Sequence, residues 1–92
     1  MTVKIRFFAR FRELLGTDIL LAWTEGTILG SVVREVAKNN QEGYDAIFDA
    51  GGSFREFVIL IRNGTRIETA EAEKTLVGDG DEIAVFPPVA GG

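Results

Sequence analysis

The sequence predicts an α+β fold in which a mixed sheet of four to five strands packs on one main helix. Three observations carry it. Thr2 to Phe8 and Glu82 to Phe86 alternate apolar with other residues at the period of a half-buried strand. Ile28, Leu29, Val32, Val33, Val36 and Ala37 recur at helical spacing and make one apolar stripe. Phe57 to Ile61 is an unbroken apolar run, as expected of a strand inside a sheet.

In chain order, Val3, Ile5 and Phe7 point one way and Lys4, Arg6 and Phe8 the other. "ARFRELLG" reads as a short helical turn closed by Gly16, because glycine supplies the positive φ that ends helices. A second strand is expected over about Asp18 to Trp23. Thr27 is placed to cap the main helix, and Gly30 within that helix suggests close approach to another backbone. "YDAIF" reads as a short helix and "DAGGS" as a loop. Asn63-Gly64 is the strongest turn signal in the chain. Beyond it, Thr65 to Glu68 reads as a short strand, "TAEAEKTL" as a helical turn carrying Leu76 into the core, and "VGDGDE" as a turn before the last strand. The order is β-β-α-β-β-β.

Ninety-two residues make one domain. The chain has no cysteine and no histidine, which removes thiol nucleophiles, the usual zinc ligands and Ser-His-Asp or Cys-His centres. No metal site is expected. "VGDGDEI" lacks the third glycine of a dinucleotide loop and the ligand spacing of an EF-hand, and no P-loop is present. Glu68, Glu71 and Glu73 read as a solvated face, and Trp23 and Phe11 as core or rim. A net charge of −4 with a pI near 4.7 disfavours phosphate-rich partners, so neither nucleic acid nor membrane is expected. The N-terminus has no continuous apolar run, and the expected location is cytoplasmic.

One helix covers one face of a sheet. With Val3, Ile5, Phe7, Ile59, Ile61, Ile83 and Val85 assigned to the covered face, Lys4, Arg6, Phe8, Leu60, Arg62, Ala84 and Phe86 fall on the open one. Of these, Arg6, Phe8, Leu60, Arg62 and Phe86 are candidate partner-docking residues. The chain closes on "FPPVAGG". Pro87 and Pro88 stiffen the exit, Val89, Ala90 and Gly91 continue it, and a Gly-Gly end is slim enough to thread a narrow channel and expose the Gly92 carbonyl to attack. Residues 87–92 reach at most about 20 Å.

"FFARFRELLG", the central strand running into "RNG", and "LVGDGDEIAVFPPVAGG" resemble, in this order and spacing, the MoaD/ThiS family of ubiquitin-like sulfur carriers. Small archaeal modifier proteins share the signature. The resemblance implies a β-grasp domain over residues 1–86 and an extended tail over 87–92. It implies that the Gly92 carboxylate is adenylated by a ubiquitin-activating-like enzyme that uses ATP, this chain itself binding no cofactor. The acyl-adenylate becomes a thiocarboxylate that delivers sulfur to the large subunit of molybdopterin synthase for molybdenum cofactor biosynthesis. In a modifier, a lysine of a target protein attacks the same carbonyl and forms an isopeptide bond. Either way the chain is a carrier or substrate whose catalytic groups come from partners.

Overall fold

In the computed structural model, which describes residues 1–88, the N-terminal alternation forms β1 (Thr2–Phe7) with Val3, Ile5 and Phe7 fully buried. A short helix α1 (Ala9–Leu15) follows, ended by Gly16 at φ +85°, and buries Phe11. The chain returns as β2 (Ile19–Ala22), antiparallel to β1 with Ile5 opposite Ile19.

The main helix α2 (Leu29–Ala37) buries Leu29, Val32, Val33, Val36 and Ala37 beneath the sheet. Thr27 does not cap it. Its hydroxyl donates to the Thr24 carbonyl oxygen at 2.7 Å instead, and Ile28 occupies the capping position without a side-chain bond. The neighbour of Gly30 also differs from expectation: a Cβ there would lie 2.8 Å from the Glu73 carboxylate, so what approaches is a side chain and not a backbone.

The irregular middle of the sequence holds a second short helix, α3 (Gln41–Ile47), capped by the Asn40 side chain accepting from the Gly43 N–H. Its "DAGGS" sequel is a loop pinned by Asp49, whose Oδ1 accepts from the N–H groups of Gly51 and Ser53. Arg34 of α2 reaches across, donates to the Gly52 carbonyl at 2.9 Å, pairs with Glu73, and lies over the rings of Phe48 and Phe54. This one side chain ties three segments together.

Strands β3 (Ile59–Arg62) and β4 (Thr65–Ile67) form a hairpin through Asn63 and Gly64, both at positive φ, the geometry that matches the twist of antiparallel strands. A single helical turn α4 (Thr69–Ala72) follows, and β5 (Glu82–Phe86) ends the sheet. Leu76 stays 55% exposed; the segment buries Ala72 and Val77 instead. The five strands run in the order β2-β1-β5-β3-β4, with β1 and β5 parallel and every other pair antiparallel. The last strand therefore occupies the centre of the sheet. With the helices on one face this is the β-grasp architecture, and the other face is left without a covering helix.

No helix among the described residues is long and apolar enough to cross a membrane, and no cluster of acidic side chains among them is arranged to hold a metal ion.

Candidate functional site: the open sheet face and the tail exit

Because β5 alternates cleanly, its faces are unambiguous: Ile83 and Val85 enter the core, and Glu82, Ala84 and Phe86 lie on the open face. Parallel pairing with β1 sets Lys4 beside Glu82 and Arg6 beside Ala84. At the far end, the Phe8 N–H donates to the Val85 carbonyl at 3.1 Å, and the rings of Phe8 and Phe86 stack with centroids 4.2 Å apart and planes 10° apart. Such a pair contributes about 0.5–1.5 kcal/mol beyond area burial. It clamps the last residue of the central strand just before Pro87 and Pro88. Pro87 is half-buried and Pro88 exposed.

Arg6 is fixed as well. Its Nε is 2.8 Å from Asp18 Oδ1, its Nη1 is 3.2 Å from Glu82 Oε1, and its guanidinium carbon sits 5.6 Å from the Phe8 ring centroid. The hydrogen bond to Glu82, and then the charge of Asp18, stabilise the cation and push its pKa further up. Arg6, Phe8 and Phe86 thus form one contiguous corner of the open face, as expected from the sequence.

Leu60 and Arg62 do not join them. Leu60 is fully buried, opposite Val85 in the β3–β5 register, and Arg62 shares its side of the strand. The Arg62 guanidinium is bound to Asp81, with Nε and Nη2 at 2.9 and 2.8 Å from Oδ2. The assignment of faces in β3 is therefore reversed: Ile59 and Ile61, opposite Phe86 and Ala84, are the half-exposed residues. The reason is physical. An unbroken apolar run carries no period-two signal, so only the pairing partner fixes which residues turn inward.

The open face so corrected has an apolar band of Phe8, Phe86, Ile59, Ala84 and Ile61. Between Ile61, Ala84 and Phe86 it sinks into a shallow groove of about 370 Å³ that reaches the Asn63-Gly64 turn. Lys4, Arg6 and Arg66 stand around the band together with Glu82, which pairs with Arg6, so the rim carries charges of both signs. Ile59 and Ile61 are the site residues that sequence reasoning missed, and the alternation of β5 was the signal that bore on them.

Below the groove, Asp81 anchors the start of β5. It is 6% exposed and accepts from the Gly78 N–H at 2.7 Å, from the Asn63 amide at 2.9 Å and from Arg62. Burial acts to raise its pKa, but the backbone bond from Gly78, the Asn63 amide and Arg62 together outweigh it and hold the carboxyl below its ordinary range. The Asn63 Oδ1 accepts from the Glu82 N–H, so the β3–β4 turn and the start of the central strand are locked to each other. "VGDGDE" is a structural turn.

The expected tail residues Val89, Ala90, Gly91 and Gly92 lie outside the described residues. What the structure supplies is their point of departure, at the end of the central strand and beside the apolar band.

Comparison with known proteins adds to this geometry. The chain is 32% identical over 93 residues to small archaeal modifier protein 3 of Haloferax volcanii, with both chains covered completely. It is 38% identical to the molybdopterin synthase sulfur carrier subunit of Aedes aegypti, covering 98% of this chain and 88% of that one. The solution structure of small archaeal modifier protein 1 from Methanosarcina acetivorans superposes with a TM-score of 0.80 at 30% identity, over 99% of this chain and 96% of that one. The ThiS family model matches residues 5–92. By its sequence, and by a β-grasp fold that delivers its C-terminal strand to the middle of the sheet, the chain belongs to the ThiS family.

Proposed function

We propose that this chain is a ubiquitin-like sulfur carrier of the molybdopterin-synthase type, working through the carboxylate of Gly92. An activating enzyme would use ATP to form the acyl-adenylate, releasing pyrophosphate. Hydrosulfide then attacks the carbonyl carbon, a C–S bond replacing the C–O bond to AMP, and AMP leaves to give a thiocarboxylate. The large subunit of molybdopterin synthase would receive the tail and take the sulfur. With no cysteine in the chain, no side chain can carry sulfur as a persulfide, and the tail is the position left for it.

The observation that carries this reading is the Phe8–Phe86 stack at the end of the central strand. It holds Phe86, the last residue of the central strand before Pro87, beside an apolar face with a charged rim that a partner could grip. A partner that binds the face receives the tail in a defined register, which reduces the entropy lost when the tail enters an active site.

A second reading is favoured by the Haloferax relative, whose name is that of a protein modifier. The activated carbonyl would then be attacked by a target lysine. Both readings need a free Gly92 carboxylate, so a variant with one residue appended after Gly92 should lose adenylation by the activating enzyme yet keep affinity for it. Full adenylation of the extended chain would refute both. To separate them, protein recovered from its native cell should show sulfur in place of oxygen in its intact mass, or adducts on target lysines. The last Lys or Arg is Lys74, so trypsin leaves residues 75–92 on a modified lysine, and a search for a short Gly-Gly remnant would miss it.

A further inference from the structure

Strand β2 has no polar position. Ile19, Leu20, Leu21 and Ala22 are all apolar, although the strand lies at the edge of the sheet. Leu20 is 64% exposed on the open-face side and Ala22 is exposed beside it; Ile19 and Leu21 are only half-buried on the helix side. Neither face of β2 therefore has the composition of a solvent face. The opposite edge, β4, is built differently: it is three residues long and carries exposed Arg66, two of the devices that protect an edge from strand addition.

The hydrogen-bond directions of β2 are fixed by its neighbour. Met1 and Trp23 exchange bonds, Trp23 N–H to the Met1 carbonyl at 2.7 Å and the Met1 ammonium to the Trp23 carbonyl at 3.2 Å. Antiparallel pairs alternate, so Leu21 and Ile19 also bond to β1, opposite Val3 and Ile5, while the N–H and C=O groups of Leu20 and Ala22 point away from the sheet. The β1–β5 side agrees: the Lys4 N–H and the Thr2 carbonyl bond to Asp81 and Gly80. Among the described residues, the outward groups of Leu20 and Ala22 have no protein partner.

We propose that β2 is an association edge for a second copy of this chain, two β2 strands pairing antiparallel about a two-fold axis through Leu21. That register sets Leu20 of each copy opposite Ala22 of the other, and each such pair exchanges both of its outward backbone bonds. It also matches a large side chain with a small one on the open face and lays Leu21 against Leu21 on the other. The self-complementarity of the edge is what selects a second copy as the occupant. The tail remains free, because β1 separates β2 from β5. The seam is short and each chain carries a net charge of −4, so the dimer is weak and strengthens with added salt.

Sedimentation equilibrium of the full chain from micromolar to millimolar concentration should show the mean mass rise from monomer towards dimer. Ala22→Pro deletes an N–H that β1 does not use, a substitution an edge strand tolerates. The variant should stay monomeric over the same range with its circular dichroism unchanged. In wild-type protein, with no substitution, the Leu20 and Ala22 amides should exchange freely when dilute and at least tenfold more slowly when concentrated. Three results would each overturn the proposal: a monomer at every concentration, exchange of those two amides that ignores concentration, or an Ala22→Pro chain that still dimerises.

Discussion

Asp81 anchors the start of the central strand. It gathers Gly78, Asn63 and Arg62 where the β3–β4 turn meets the start of β5. Replacing Asp81 with Ala leaves Arg62 and the Asn63 amide with unmade bonds, and urea unfolding should show a loss of about 2–3 kcal/mol. The folded pKa of this carboxyl lies below its unfolded value, so its contribution is fully present above the unfolded carboxylate range and is lost as pH falls through the folded value. Wild-type stability should therefore drop on acidification below about pH 4. The Asp81→Asn variant should show a shallower drop. Little of this was legible in "VGDGDE": the density of Asp and Gly announces a turn, but not which carboxylate turns inward.

Two glycines with similar crowding predict different outcomes. At Gly30 a new Cβ would meet the end of the Glu73 side chain, a flexible group that can swing into solvent. Alanine there gains about 1 kcal/mol of helix propensity and loses the Arg34–Glu73 pair, so Gly30→Ala should be within about 1 kcal/mol of wild type by thermal unfolding. At Gly43 the Cβ would lie 2.7 Å from Leu15 Cγ, where α1 and α3 meet. Gly43→Ala should destabilise by about 1–2 kcal/mol despite the better helix former.

Among the elements, β3 gives the sharpest contrast between sequence and structure. Adjacent residues have opposite duties: Leu60 is core, Ile61 is open face. Leu60→Ala should cost about 2–5 kcal/mol in denaturant unfolding. Ile61→Asp should leave stability within about 1 kcal/mol but weaken binding to the activating enzyme or the synthase partner at least tenfold. Equal effects of the two substitutions on stability would contradict the corrected faces. Strands β1 and β5 and helix α2 were legible because alternation or a single stripe states which side is buried. The short helices α3 and α4 were less so, since seven and four residues hold too little periodicity and their packing is set by contacts distant in sequence. Leu76 shows the same limit: the segment turns one residue further than its pattern suggests and buries Val77.

At the scale of the whole molecule, topology connects the fold to its use. A parallel β1–β5 pair places the last strand at the centre, where both sides are hydrogen-bonded and the exit of the tail is held by the body of the domain. The chain belongs to the ThiS family, and under the proposed function the chemistry would lie beyond Phe86, in the segment "PPVAGG". The expectation for the tail rests on glycine and proline, which act through backbone properties that need no tertiary context, and it concerns residues outside those described. The open sheet face was legible only in part: of the five residues expected there, Arg6, Phe8 and Phe86 share it, and Leu60 and Arg62 lie on the other side.

Under the proposed function, the Gly92 carboxylate is activated and loaded with sulfur. Intact-mass measurement after incubation with ATP, the cognate activating enzyme and a sulfur donor tests it most directly. The expected result is a mass gain equal to the replacement of one oxygen by sulfur, lost when one residue is appended after Gly92. An unchanged mass with an enzyme proven active on another carrier, or the same gain in the extended chain, would contradict it.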